Sequence, residues 1–170
     1  KESPDNNFSV GDIYLGKIKK IAGGLNAAFV EVGHEKDAFL HYFDLGPQLL
    51  SFIKYTKSVL SGTAQSPWLK NFNLEKEIDK SGKIEQVLQQ GLPILVQIAK
   101  EPISTKGPRI TSEVTMAGRY LVLVPFSNRV SVSQKIKSRE ERERLKRLLM
   151  SIRPENFGVI VRTVAENKKV

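Results

Sequence analysis

The chain has 170 residues, 40% of them hydrophobic, and its 27 Lys and Arg against 18 Asp and Glu give a formal net charge of +9. This basic balance favours a polyanionic partner and argues against an acidic-tail or chaperone-like role. The absence of cysteine excludes disulfides and thiolate nucleophiles, and it suits a reducing compartment. No apolar run approaches the ~20 residues of a membrane span. We therefore expect a cytoplasmic protein with no membrane insertion.

The N-terminal part of the chain alternates apolar and polar residues between glycines. Over residues 11–40 this period of two predicts three short strands, with breaks at Gly23-Gly24 and at residues 33–36. Such strands are typical of the opening of a small Greek-key barrel of the OB type. The exposed face of that barrel binds single-stranded nucleic acid through aromatic stacking and a basic groove.

Two further strands, predicted over residues 92–99 and 109–114, would close the barrel. Residues 46–82 are interpreted as an insertion that begins with a short helix and continues as a long, partly mobile loop. We predict a mainly β fold with some α, in which a five-stranded OB barrel spans residues 8–112. A small α/β subdomain of ββαβ order is predicted to follow over residues 113–170.

The second subdomain is predicted to start with a hairpin across residues 126–128. Ser138 and Glu141 form the pattern of a capping box at the start of a helix that ends before Pro154. Alternation over residues 158–162 indicates the last strand. We interpret the arginines of the helix as solvent-exposed partners of its glutamates rather than as a nucleic-acid site.

A family resemblance rests on short motifs that follow one another along the chain: GKI at 16–18, AAFV at 27–30, AFL at 38–40, KG at 106–107, AGRYLV at 117–122 and VRT at 161–163. In order and spacing they resemble the ribonuclease E/G family. The first part resembles that family's RNA-binding domain, named after ribosomal protein S-one. The part from about residue 113 onward resembles its 5′-sensor region, and only the middle stretch of the chain is unfamiliar.

The resemblance implies that Phe29, Phe39 and Lys106 contact RNA, the rings by base stacking and the lysine at a phosphate. From the pattern alone, the two rings could equally be core residues. Lys106 could equally be an ordinary solvent-exposed loop lysine.

The resemblance also implies that Gly118, Val122, Arg162 and Thr163 bind a 5′-monophosphate. A guanidinium fork and a hydroxyl suit a terminal phosphate, which presents more charged oxygens than an internal phosphodiester. The structural alternative is a turn glycine, a core valine and an arginine that supports the end of a strand.

Other noticeable residues are given structural roles. The lysines at 17, 19 and 20 are interpreted as charges that protect an edge strand from aggregation. His34 and His41 are interpreted as surface polar residues because no metal-ligand pattern surrounds them. Trp68 either stacks on RNA or pins the insertion to the barrel.

No cluster of carboxylates suited to magnesium occurs in the sequence, so we expect no catalytic residue, no metal site and no cofactor in this fragment. The resemblance implies that magnesium, together with zinc at a cysteine motif, belongs to a nuclease domain located downstream in the parent protein. The expected partners are single-stranded RNA and that nuclease domain, with homo-oligomers forming through the parent.

We therefore expect an RNA-binding fragment of a bacterial single-strand-specific endoribonuclease that acts in RNA decay and ribosomal RNA processing. One alternative is a stand-alone OB-fold adaptor of translation or ribosome assembly. Another is a barrel whose exposed aromatic side chains bind a peptide.

Overall fold

The structure, a computed structural model, describes residues 8–64 and 69–169. Contacts between these residues divide the chain into two compact units. The first unit contains residues 8–64 and 75–114, and the second contains residues 69–74 and 115–169. Trp68, for which the sequence suggests two roles, lies outside the described residues, as do residues 1–7.

The first unit is a closed barrel of five strands in the order β1-β2-β3-β5-β4. All neighbouring strands are antiparallel except β3 and β5, which are parallel. A helix, α1 at Leu49–Leu60, connects β3 to β4. This confirms the predicted OB-type barrel, whose strands are β1 Ile13–Ala22, β2 Ala27–Glu31, β3 Ala38–His41, β4 Pro93–Lys100 and β5 Arg109–Thr111.

Strand alternation fills the barrel with small and branched apolar side chains. Ala28 and Val30 on β2 and Leu40 on β3 have no exposed surface. Every second residue of β4 is likewise buried, which explains why that segment has the apolar pattern of a barrel strand. The same buried cluster also contains Ile18, Ala38, Leu45, Leu49, Ile53, Ile84, Ile94, Val96, Ile98 and Ile110.

The interpretation of the β1 lysines as edge protection is wrong for Lys17. β1 pairs with β4 over residues 13–17 and with β2 over residues 17–22, so Lys17 has a paired strand on both sides. Lys19 and Lys20 lie where β1 is paired with β2 alone, and for them edge protection stays a prediction. The register of β1 against β2 shifts between Ile18 and Lys20, which is the signature of a bulge. Because of this shift Lys20 lies opposite Phe29, while Lys19 forms an ion pair with Asp37 at 3.4 Å.

The second unit is a four-stranded sheet in the order β6-β7-β9-β8 with one helix. The apolar stripe of the helix, including Leu145 and Leu149, packs with Val159 and Val161 of the sheet. This confirms the small α/β region, with one additional short strand, β6. The elements are β6 Met116–Ala117, β7 Leu121–Pro125, β8 Val130–Val132, α2 Arg139–Ile152 and β9 Phe157–Val161.

The hairpin predicted between β7 and β8 is wrong, because β9 lies between them. β9 is antiparallel to β7 and parallel to β8. The connection leaves the plane of the sheet at Phe126, which has φ 60° and a buried ring. Gly158 lets β9 pass close to this connection, since a Cβ there would lie 2.8 Å from Ser127 Oγ and 2.9 Å from Arg129 O.

The predicted capping box of α2 is only half formed. Ser138 Oγ accepts a hydrogen bond from the Glu141 N–H at 3.3 Å, as predicted. The Glu141 carboxylate instead accepts from Arg144 at 2.6 and 2.8 Å and from the Asn167 N–H at 2.7 Å. Glu141 therefore ties the helix to the segment that follows β9. These hydrogen bonds, that of Arg144 above all, lower the pKa of Glu141 to about 2.

Residues 69–74 belong to the second unit although they lie between β3 and β4 in the sequence. The buried Asn156 side chain donates to Leu69 O at 3.0 Å and to Phe72 O at 2.8 Å. The rings of Phe72 and Phe126 lie 5.1 Å apart.

Across the described residues, no helix has the length and apolarity needed to cross a membrane.

Truncation of Leu40 tests the packing of the barrel. Leu40→Ala removes a side chain with no exposed surface, so we expect it to lower the free energy of unfolding by about 2–5 kcal/mol in urea titrations. The matched control is Leu15→Ala on β1, where the leucine is 53% exposed. A loss below about 0.5 kcal/mol at Leu40, the range of surface substitutions, would contradict a packed interior.

The contacts of Glu141 predict a dependence of stability on pH. Because the folded pKa lies below the ordinary value of 4.5, the stabilisation is complete above pH 4.5 and is lost as the pH falls towards about 2. In thermal melts we expect Glu141→Gln to be less stable than the parent chain at pH 7, with the gap closing between pH 4.5 and 2. Glu140→Gln, on the same helical turn, controls for the helix dipole. Equal gaps for both variants at every pH would show that the contacts of Glu141 have no such effect.

Candidate nucleic-acid interface

Five outward-facing side chains form one row across the strands of the barrel. Residues directly opposite each other in neighbouring strands point to the same face of a sheet. The register places Lys20 opposite Phe29, Phe29 opposite Phe39, Phe39 opposite Arg109 and Arg109 opposite Lys100. We call these five residues the transverse row. It has two aromatic rings at its centre and cations at both ends.

The rings of Phe29 and Phe39 are in contact, with centroids 5.8 Å apart in an edge-to-face arrangement. Both side chains are half-buried and lie outside the buried core of the barrel. Each ring therefore has a surface that a flat ligand can contact. The edge-to-face contact limits how far either ring can move, so the pair offers a fixed apolar surface.

Two aromatic residues that the sequence analysis did not select continue this surface. His41 follows Phe39 with centroids 6.4 Å apart, and Phe43 follows His41 at 4.9 Å. Phe39 and His41 are alternate residues of β3, which places them on one face of the sheet. Phe43 lies beyond the strand, in a short 3-10 helix, so alternation in the sequence could indicate His41 but not Phe43.

Lys106 lies in the loop between β4 and β5, one of the loops that OB-folds use for oligonucleotides. The loop is tied to β3 beside the aromatic pair, because the Phe39 N–H donates to Pro108 O at 2.9 Å. Lys106 is exposed, and its backbone pairs with that of Ile103 in an isolated bridge. The structure thus places Lys106 on a loop anchored next to Phe39.

Asp44 is an acidic residue of this surface, and its Oδ2 atom already accepts hydrogen bonds from neighbouring groups. It accepts from Arg109 Nη2 at 3.2 Å and Nε at 3.3 Å, and from the His41 N–H at 3.3 Å. Asp44 therefore neutralises part of the charge of Arg109 while fixing its position. The exposed cations Lys20, Lys100 and Lys106 supply the remaining positive charge around the rings.

In the second unit, three of the four residues assigned to a 5′-phosphate lie together. Val122 is opposite Ala117 on one side and Ile160 on the other. Arg162 N–H donates to Tyr120 O at 2.8 Å, and its Nη1 donates to Gly118 O at 2.7 Å. Gly118, Val122 and the Arg162 guanidinium thus form a patch at the end of β9, which we call the Arg162 patch.

The fourth residue, Thr163, is adjacent in the chain but has a different hydroxyl partner. Its Oγ1 lies 3.0 Å from Ser133 Oγ, in the segment after β8. A Cβ at Gly118 would make a tight contact, 3.3 Å, with Leu121 O. Within residues 8–64 and 69–169, no group of three His, Asp or Glu side chains is placed to hold a metal ion.

Comparisons with known proteins agree on one family. The model of the ribonuclease E/G family matches residues 115–170. The chain is 38% identical over 163 residues to ribonuclease E of Nostoc sp., an alignment that covers 95% of the chain and 20% of that relative. It is 39% identical over 157 residues to ribonuclease G of Escherichia coli and of Salmonella typhimurium, covering 92% of the chain and 28% of each relative.

The chain thus spans less than a third of the length of these relatives. The aligned region includes nearly every described residue, and the family model covers the whole of the Arg162 patch. The chain is therefore similar to one segment of the proteins of the ribonuclease E/G family, and its residues 115–170 match the model of that family.

Proposed function

We propose that this chain is the RNA-binding segment of a bacterial endoribonuclease, and that single-stranded RNA lies across the transverse row. The observation that carries the proposal is the register itself, which places two contacting rings between cations on the outside of an OB barrel. Rings of this kind stack on any base, and lysines beside them neutralise phosphates. The names of the relatives, ribonuclease E and ribonuclease G, favour this role over that of a stand-alone adaptor.

A single strand suits this surface better than a duplex. Stacking on Phe29 and Phe39 requires base faces that are free, whereas in a duplex the bases are stacked on one another and present only their edges. The contacts involve ring faces and phosphates, so we expect little sequence preference. Binding should weaken with salt, with a log-log slope of about −0.7 for each phosphate neutralised.

The Arg162 patch is proposed to recognise a 5′-monophosphate. The guanidinium donates one hydrogen bond to Gly118 O among the described residues, and arginine has five N–H donors. The remaining donors suit a terminal phosphate, which carries about −1.5 to −2 charges. The Thr163 hydroxyl would join this ligand by leaving or sharing its contact with Ser133.

Hydrolysis of RNA is proposed for the whole protein and not for this segment. Magnesium-assisted cleavage needs acids gathered around the ion. The described residues do not provide such a group, so no step of the reaction is assigned to them. Their role is to bind and orient the RNA and, at the Arg162 patch, to select its end.

Removal of both rings tests RNA binding. We expect Phe29→Ala with Phe39→Ala to weaken the binding of a single-stranded oligouridylate in fluorescence anisotropy by about 1–3 kcal/mol for each base that loses its ring. Leu15→Ala, on an exposed part of β1, is the control for removing apolar surface. Circular dichroism should show an intact fold. Unfolding of the double variant would mean that the rings are core residues, and unchanged affinity would contradict the platform.

Arg162→Ala tests recognition of the RNA end. In a full-length protein that carries this segment, we expect the variant to slow the cleavage of an RNA with a 5′-monophosphate and to spare the same RNA with a 5′-hydroxyl. The control is Arg139→Ala, which removes an exposed arginine on α2 that pairs with Glu143. Equal slowing of both substrates by Arg162→Ala would mean that the arginine only supports the strand end through Gly118.

A further inference from the structure

Phe43 is a large aromatic side chain that the fold holds in an exposed position. Its side chain is 74% exposed, although apolar rings usually pack against other residues. It lies in a short 3-10 helix, Tyr42–Asp44, directly after β3. The Phe43 N–H donates to His41 Nδ1 at 3.1 Å, and the His41 N–H donates to Asp44 Oδ2 at 3.3 Å. Two reciprocal hydrogen bonds therefore fix the backbone that carries the ring.

An exposed ring on an ordered backbone is well suited to binding a ligand. Binding costs less when the side chain and its backbone are already ordered. Asp44 also holds Arg109 and accepts from the Thr111 hydroxyl at its carbonyl, which joins the Phe43 turn to β5. The turn is thus part of the barrel and not a loose loop.

The position of Phe43 continues the line of rings on the barrel. Phe29 contacts Phe39 at 5.8 Å, Phe39 is followed by His41 at 6.4 Å, and His41 by Phe43 at 4.9 Å. The first two rings belong to the proposed RNA platform, and the last is the most exposed. We propose that Phe43 stacks a further nucleobase of the same bound single strand, beyond those on Phe29 and Phe39. This inference rests on the proposed RNA-binding function.

A cavity beside Phe43 can accommodate that base. Its volume is about 300 Å³, and its walls include the apolar side chains of Tyr42, Phe43, Pro47 and Ile78. Two acidic residues, Asp79 and Glu113, also line it. Their negative charge disfavours a phosphate there, so the base enters the cavity and its phosphate stays outside. Lys80 also lines the cavity and can neutralise that phosphate.

The test measures how affinity grows with RNA length. Fluorescein-labelled oligouridylates of three to eight nucleotides are titrated with the parent chain and its variants at low salt, and binding is followed by anisotropy. Phe43→Leu keeps an apolar side chain but removes the ring, and Phe43→Trp restores a ring. Leu15→Ala is the control for an exposed apolar residue elsewhere on the barrel.

We expect Phe43→Leu to weaken the longest oligonucleotides about 5- to 150-fold, the loss of one stacked base. It should leave the shortest nearly unchanged, because these are already held by Phe29 and Phe39. Phe43→Trp should bind at least as well as the parent chain. Thermal melts of both variants should match the parent, since the side chain is exposed.

Three results would overturn the inference, and they are distinguishable. If Phe29→Ala with Phe39→Ala weakens RNA binding but Phe43→Leu does not at any length, the additional position fails and the proposed function stands. If the double variant also binds as the parent does, the proposed function fails with it. If Phe43→Leu leaves RNA binding intact but changes the sedimentation of the chain, the ring belongs to a protein interface.

Discussion

The parallel contact between β3 and β5 requires the backbone at residue 107 to lie directly against the carbonyl oxygens of Lys36 and Asp37. A Cβ at Gly107 would lie 2.1 Å from Asp37 O and 2.7 Å from Lys36 O, so only glycine fits. This approach brings Pro108 O to the Phe39 N–H and Arg109 opposite Phe39. Closure of the barrel, the cationic end of the transverse row and the placement of the Lys106 loop all depend on it.

Sequence patterns correctly predicted the strands and the helix start that are determined by residues close together in the chain. Alternation identified the barrel strands, and Ser138 identified the start of α2, because burial on one face and a single cap act within a few residues. The same reasoning failed where the structure depends on residues that are distant in the sequence. Nothing near Lys17 in the sequence shows that this residue is paired on both sides, or that a bulge places Lys20 opposite Phe29. Likewise, Gly158 makes room for β9 beside a connection about 30 residues earlier.

At the candidate site too, the features that the sequence could not predict depend on residues that are distant in the chain. The pattern around Phe29 and Phe39 was compatible with either face of the sheet, and only the register of three strands shows that both rings point outward together. Arg109, one partner of the Asp44 carboxylate, lies on β5, 65 residues away, so the part of Asp44 in fixing Arg109 was not readable from the sequence. Arg162 could be recognised by its motif, but its hydrogen bond to Gly118 O depends on the pairing of β7 with β9.

The path of residues 69–74 has a consequence for synthesis of the chain. These residues leave the ribosome between two parts of the barrel, but their hydrogen-bond donor, Asn156, follows Leu69 by 87 residues. At the usual elongation rate of about 5–20 residues per second, the segment waits roughly 4–17 s for that partner. During this interval the nascent chain carries Phe72 without Asn156, and for the earlier part of it also without Phe126. A fragment that stops after the barrel would lack both of these partners, so the segment between β3 and β4 completes its packing only when the second unit has been synthesised.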